Sequence, residues 1–156
     1  MDSTKTDKDG ILRLHDQFCF ALYSTSRMVT KAYGVLLDAL GLTYPQYLVM
    51  LVLWEEDGIL VSDIAKALAI DGGTATPLIK RLENLGFVHR IRCQEDERRV
   101  RIYLTDLGKS SFHKALNVPH GLGDATGLTA ESAHRIVAEL DDIKAQIESW
   151  LARPEK

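Results

Sequence analysis

The sequence predicts a mainly α-helical fold with one small β-hairpin. Three observations carry this reading. Apolar residues recur at helical spacing over long stretches at both ends of the chain. Between them a short helical segment, a glycine turn and a second helical segment follow one another. After these, two runs alternate apolar and basic residues across a polar tip. At 156 residues the chain suits one domain, expected over 11–156 behind a flexible stretch at 1–10.

Each element has a local reason. Ile11, Leu14, Phe18, Leu22, Val29, Tyr33, Leu36 and Leu40 keep helical register until Gly41 stops it. Thr43-Tyr44-Pro45-Gln46 reads as a capping box, with proline in the first turn where no hydrogen bond is lost. The helix it opens, "YLVMLVLW", is apolar all round and predicts a central buried helix. That run of eight residues is also the longest apolar one, too short to span a bilayer. A short helix over about Ser62–Ala69 turns Ile64, Ala65 and Leu68 inward. The next helix ends at Gly86. Pro77 argues against Asp71 as its cap, since that start puts proline in the interior at about 3 kcal/mol. A start near Gly73 or Thr74, or a distorted first turn, avoids the penalty.

Phe87–Arg92 and Val100–Leu104 alternate as strands, with "CQEDERR" between them as the hairpin tip. Thr105 caps a helix over about Asp106–Leu116. Gly121, Gly123 and Gly127 make 117–127 read as a loop. Thr129 caps the last helix, whose Ile136, Val137, Leu140, Ile143, Ile147, Trp150 and Leu151 form an apolar stripe. The order is that of a winged helix-turn-helix over about 44–104. The flanking helices, about 11–40 and 106–152, carry more apolar surface than one small core needs. They predict a dimer formed by the N- and C-terminal helices, as a palindromic DNA site requires.

Net charge is −3, yet the segment 79–102 holds seven basic residues against four acidic ones, a local +3 that leaves −6 elsewhere. A basic island on an acidic body is compatible with one face meeting phosphate. On a helical wheel Gly73, Thr76, Pro77, Lys80 and Asn84 face away from the apolar side, with Thr74 and Arg81 at the border. Small residues followed by cations suit a helix entering the major groove, though an ordinary wet face gives the same wheel. In the wing, Asp96 is placed to hold the Arg98 guanidinium in one orientation, beside Arg99. An oriented arginine suits the narrow minor groove of A·T-rich DNA; the alternative is a surface ion pair. The N-terminus lacks the apolar core of a signal peptide, so a cytoplasmic location is expected and no membrane partner. The histidines and the two cysteines have no metal-ligand spacing, so no metal or cofactor is expected.

At this point the chain resembles a known family. "DERRVRIYLTDLG" is similar to the wing of MarR-type bacterial regulators, with Asp96, Arg98, Leu104, Thr105 and Gly108 at the patterned positions. "DIAKALAIDGGTATPLIKRLENLGFV" resembles the family's helix-turn-helix. "FCFALYSTSR", "LGLTYPQYLVMLVLW" and "TATPLIKRLE" resemble its organic-hydroperoxide-sensing (OhrR-type) branch. The likeness covers about 14–116, plus "ATGLTAES".

The resemblance changes how Cys19 is read. By composition, the thiol in "QFCFALY" is a small core residue. Tyr23 shares its helical face, and so, nearly, does Tyr33, but fourteen residues of helix span about 21 Å. One straight helix cannot join Tyr33 to its own Cys19; an antiparallel two-fold mate can. The resemblance implies that Cys19 is a redox sensor hydrogen-bonded by Tyr33 and Tyr44 of the other subunit, with Tyr23 nearby. Cys19 reads as mid-helix, so phenolic donors rather than a helix end would stabilise the thiolate. Phe18, Phe20, Leu22 and Leu36 could shape an apolar pocket favouring an organic hydroperoxide over hydrogen peroxide. Asp124 stands where some members of the branch have a resolving cysteine. A low-molecular-weight thiol is therefore expected to cap the sulfenate. Cys93, in the wing, reads as incidental. The expected function is a DNA-binding repressor that releases its operator on oxidation of Cys19. The alternative is a repressor released by a reversibly bound ligand, with Cys19 structural. An enzyme is not expected, because a thiol peroxidase usually needs a βαβ scaffold that this sequence lacks.

Overall fold

The first apolar period breaks at Gln17. In the computed structural model, which describes residues 13–96 and 98–153, helix α1 covers only Phe18–Leu36. The expected tail at 1–10, and Ile11, lie outside the described residues. Gln17 is extended and separates α1 from a single 3₁₀ turn at Leu14–Asp16. A second 3₁₀ turn, Asp38–Leu40, follows, and Gly41 closes it at φ 65°. The tighter turn lets Leu37 and Leu40 both reach the core.

Helix α2 (Tyr44–Glu55) starts where its capping residues place it. The Thr43 N–H donates to Gln46 Oε1 at 2.8 Å. Tyr47, Val49, Met50 and Leu53 are buried, while Leu51 is exposed, so the helix is central on one face rather than all round. The chain then forms a strand that periodicity did not show, β1 (Ile59–Leu60), before α3 (Val61–Ala67). Two residues are too few to display alternation. Asp57 holds this strand in place: its Oδ1 accepts from the Gly58 N–H and, at 2.8 Å, from the Leu104 N–H. Arg101 Nη1 donates to the Gly58 carbonyl at 2.7 Å.

Helix α4 (Gly72–Asn84) leads into β2 (Val88–Arg92) and β3 (Val100–Leu104). The expected hairpin is therefore part of a three-stranded antiparallel sheet, ordered β1-β3-β2, with Val88 opposite Leu104 and Ile59 opposite Ile102. Leu37, Met50, Leu53, Ile64, Ile79, Leu82 and Ile102 are almost wholly buried where α2, α3, α4 and the sheet meet. Each such side chain contributes about 1.5–3 kcal/mol by burial. Thr105 caps α5 (Asp106–Ala115) by accepting from the Gly108 N–H.

The expected loop at 117–127 is instead helix α6 (Asn117–Thr126). Pro119 lies in its first turn, where a missing N–H costs nothing. Gly121 and Gly123 weaken it, and Gly127 at φ 68° ends it. The chain divides into two compact units, 1–118 and 119–156. In the second, α7 (Ala130–Leu151) is capped by Thr129, which accepts from the Ser132 N–H, and none of its residues is buried. Among the described residues no helix is long and apolar enough to cross a membrane.

Candidate nucleic-acid interface and thiol site

The start of α4 corrects the sequence reading. Asp71 is the cap after all: its Oδ1 accepts from the Thr74 N–H at 2.9 Å and its Oδ2 from the Thr74 hydroxyl at 2.8 Å. These bonds hold the Asp71 carboxyl below its ordinary range, so it is ionised at neutral pH. Pro77 therefore sits inside the helix. The ring removes only the bond to the Gly73 carbonyl, close to the helix start, where water reaches the exposed backbone. One turn of neighbouring backbone is reinforced, because Thr76 Oγ1 donates to the Gly72 carbonyl at 2.8 Å. A Cβ on Gly73 would lie 2.9 Å from Asp71 Oδ1, so a larger residue there would displace the capping carboxylate. Ala75, Ile79 and Leu82 are buried, and Gly73, Thr74, Pro77, Lys80 and Arg81 are exposed, with Thr76 half-buried.

The wing needs a second correction. Asp96 does not orient the Arg98 guanidinium. Its Oδ1 accepts from the Arg98 backbone N–H at 3.0 Å, and its carbonyl accepts from the Arg99 N–H at 2.9 Å. A carboxylate two residues upstream closes an Asx-type turn more readily than it reaches a long side chain. Asp96 thus shapes the tip backbone from which Arg98 and Arg99 project. Glu97 lies outside the described residues.

Sequence reading overlooked a brace between the two reading elements. Glu83 near the end of α4 and Arg90 in β2 pair at 2.7 Å, linking the helix to the wing. Opposite charges seven residues apart across the Gly86 turn were the available signal. Together these elements border an open cleft of about 400 Å³, lined by Ser62, Gly72, Thr76, Arg90, Arg98 and Arg99 among others. Helix, wing and arginines face one groove.

Cys19 lies in the first turn of α1, not mid-helix. The N–H groups of Phe20 and Ala21 both donate to the Gln17 carbonyl, which marks the helix start one residue before Phe18. Cys19 is exposed, so it is not a core residue of the chain. Phe18 and Leu22 are exposed as well. Phe20 instead meets His15 edge-on at 6.3 Å, and Leu36 packs against the core. The four residues expected to line a pocket thus do not enclose the thiol within one chain.

The structure does bring Tyr33 and Tyr44 together. Their rings stack at 4.3 Å with 26° between planes, and Tyr47 tilts against Tyr33 at 5.8 Å. Burial, then the neighbouring Tyr44 and Tyr47, pushes the Tyr33 phenol up to about 12. Burial raises Tyr44 too, and burial together with Tyr44 raises Tyr47. These hydroxyls stay protonated and can donate to an anion. Tyr23 stands apart: Arg27 Nη1 donates to its oxygen at 2.9 Å, with the guanidinium over the ring. Cys93 is half-buried in the wing, its N–H bonded to the Arg99 carbonyl at 2.8 Å.

The SarA/Rot family of transcriptional regulators matches residues 31–115. The chain is 45% identical over 121 residues to the organic hydroperoxide resistance transcriptional regulator of Bacillus subtilis strain 168, covering 78% of this chain and 80% of that one. It is 42% identical over 144 residues to the regulator TtmR of Methylorubrum extorquens strain PA1, covering 92% and 74%. Among solved structures, reduced AbfR bound to DNA matches at a TM-score of 0.77 with 30% identity, over 92% of this chain and 99% of that one. AbfR, from Staphylococcus epidermidis, has also been solved overoxidised on DNA and in a disulfide form.

Proposed function

The chain belongs to the MarR/SarA family of transcriptional regulators, which bind DNA and are not enzymes, and on that premise we propose that it is a homodimeric repressor released from its operator when an organic hydroperoxide oxidises Cys19. What supports this reading is that the chain carries both an exposed thiol in the first turn of α1 and, separately from it, a stacked pair of protonated phenols, Tyr33 and Tyr44. The relatives support it: one is named for organic hydroperoxide resistance, and another is solved in reduced and oxidised forms.

The dimer supplies what one chain lacks. Phe18, Leu22, Met28 and Val35 on α1, and Val137, Ile147, Trp150 and Leu151 on α7, are exposed. Apolar area on this scale is normally covered. In this proposal a second copy covers it, with α1 and α7 as the dimerisation helices and 44–104 as the reading head. Antiparallel crossing of two α1 helices carries Cys19 of one protomer to Tyr33 and Tyr44 of the other. Phe18, Phe20, Leu22 and Leu36 then complete a pocket for the apolar part of the peroxide.

The chemistry follows from those placements. The Cys19 thiolate attacks the terminal oxygen of the hydroperoxide, the O–O bond breaks, and the leaving alkoxide takes a proton to become the alcohol. The sulfur becomes a sulfenate. A low-molecular-weight thiol then condenses with the sulfenic acid, forming a mixed disulfide and water. Each product crowds the tyrosine pair and removes hydrogen bonds made to the thiolate. A hundredfold loss of DNA affinity needs only about 2.7 kcal/mol, a few such bonds. α4 lies in the major groove and the wing arginines reach the adjoining minor groove of an A·T-rich inverted repeat.

The test is an operator mobility shift with added cumene hydroperoxide and a small thiol, followed by mass mapping. Release of wild type with the adduct on Cys19, and retention by Cys19→Ser, is expected. A duplex that stays bound at full oxidant dose favours the repressor released by a reversible ligand.

A further inference from the structure

The polar groups on the first half of α4 are one-sided in their hydrogen-bonding capacity. A threonine hydroxyl has one proton and two lone pairs. The Thr74 proton is committed to Asp71 Oδ2 at 2.8 Å, and Asp71, ionised, can only accept. The Thr76 proton is committed to the Gly72 carbonyl at 2.8 Å, again an acceptor. What both hydroxyls still offer outward is lone pairs. Asp71 is itself exposed and adds carboxylate lone pairs at the same end of the helix. Further along, Lys80 and Arg81 are exposed and can only donate. The helix is therefore polarised, with acceptors over its first turn and a half and donors beyond.

In the major groove adenine N6 and cytosine N4 are donors, while guanine O6 and N7 and thymine O4 are acceptors. Phosphate oxygens also only accept. We propose that Thr74 and Thr76 are specificity-determining residues that read exocyclic amino groups, selecting adenine or cytosine on the contacted strand and discriminating against guanine and thymine there. Phosphate contacts fall to Lys80, Arg81 and the wing arginines. A threonine hydroxyl donating to guanine O6 or N7, to thymine O4 or to phosphate would have to break one of the two bonds that hold the start of α4. This inference rests on the placement of α4 in the major groove and is independent of what Cys19 does.

The test starts from selection of bound duplexes out of a randomised pool by the full-length reduced protein. The best duplex is then remade with purine in place of adenine, or pyrimidin-2-one in place of cytosine, at each selected position. Adenine or cytosine should be enriched at the positions under α4, and removing the amino group should weaken wild type about tenfold. Thr74→Val or Thr76→Val, which keep the shape and lose the oxygen, should bind the parent and the amino-deleted duplex equally. Thr74→Ser should retain the preference. Enrichment of guanine or thymine at these positions overturns the proposal. So does an amino deletion without effect while the valine variants still weaken binding; the placement of α4 then survives. If both valine variants and Lys80→Ala leave affinity and selected sequence unchanged, the placement of α4 fails and the proposal with it.

Discussion

Replacing Gly108 by alanine drives a methyl group into the joint between reading helix and wing. A Cβ built at Gly108 falls 2.1 Å from the Phe87 carbonyl oxygen and 3.1 Å from Leu104 Cδ2. Backbone must therefore move by about 1 Å, since carbon and oxygen do not approach much closer than van der Waals contact. The same carbonyl accepts from the Thr105 N–H at 3.0 Å and from the Thr105 hydroxyl at 3.1 Å, so the shift disturbs both bonds. On the far side, the Gly108 carbonyl accepts from Trp54 Nε1 at 2.9 Å and from Ser111 Oγ at 2.7 Å. Overpacking costs about 1–3 kcal/mol, and each weakened hydrogen bond about 0.5–1.5 kcal/mol. The expected total is about 3–5 kcal/mol, a large part of a typical domain's stability. Urea unfolding followed by tryptophan fluorescence reads it, because Trp54 reports on this joint. Operator affinity should fall about tenfold or more at urea-free conditions, since Phe87 connects α4 to β2. A loss of stability under about 1 kcal/mol with unchanged affinity would show that the joint is not rigid and that its geometry does not set the reading head.

Other outcomes follow from the same structure. Asp96→Ala frees the tip backbone and should weaken operator binding about as much as Arg98→Ala, while only the arginine variant lowers the salt dependence by roughly one counterion. Glu83→Gln removes the brace to Arg90; stability should change by less than about 1 kcal/mol, whereas affinity falls several-fold in a fluorescence-anisotropy titration. Raised phenol values mean that the unfolded chain ionises these tyrosines first. Stability from Tyr33, Tyr44 and Tyr47 is complete below about pH 10 and is lost as pH rises towards 12, the folded value of Tyr33. For Tyr33 the loss is at most about 2 kcal/mol once solvent screening is allowed for. Tyr33→Phe should flatten the alkaline limb of a stability–pH profile, and an unchanged limb would count against this origin.

Much of this fold was legible because its elements announce themselves locally. The Thr43, Thr105 and Thr129 caps stand where the sequence predicts them, and so, within a residue, do the two strands of the hairpin; Gly41 ends a 3₁₀ turn rather than the first helix, which stops at Leu36. The misreadings share a cause: a local penalty outweighed by contacts that a sequence pattern does not display. Pro77 inside α4 is tolerated because Asp71 secures the helix two ways. Strand β1 depends on a carboxylate bonding across 47 residues to Leu104. Helix α6 forms despite its glycines. At the thiol site the error was one of boundaries, since apolar spacing runs straight through the break at Gln17 and hides the start of α1. Which residues lie opposite Cys19 is legible in no single chain if, as proposed, they belong to a second copy.

A heterodimer tests that last point most directly. Cys19→Ser protomers, differently tagged, are paired with protomers carrying Tyr33→Phe and Tyr44→Phe, and trapping of the sulfenate after cumene hydroperoxide is timed. If sulfur and phenols meet across the two-fold axis, one composite site is intact and its Cys19 oxidises at the wild-type rate. Oxidation as slow as in the Tyr33→Phe/Tyr44→Phe homodimer would mean that each thiol depends on tyrosines of its own chain, and the account of the sensor would be wrong.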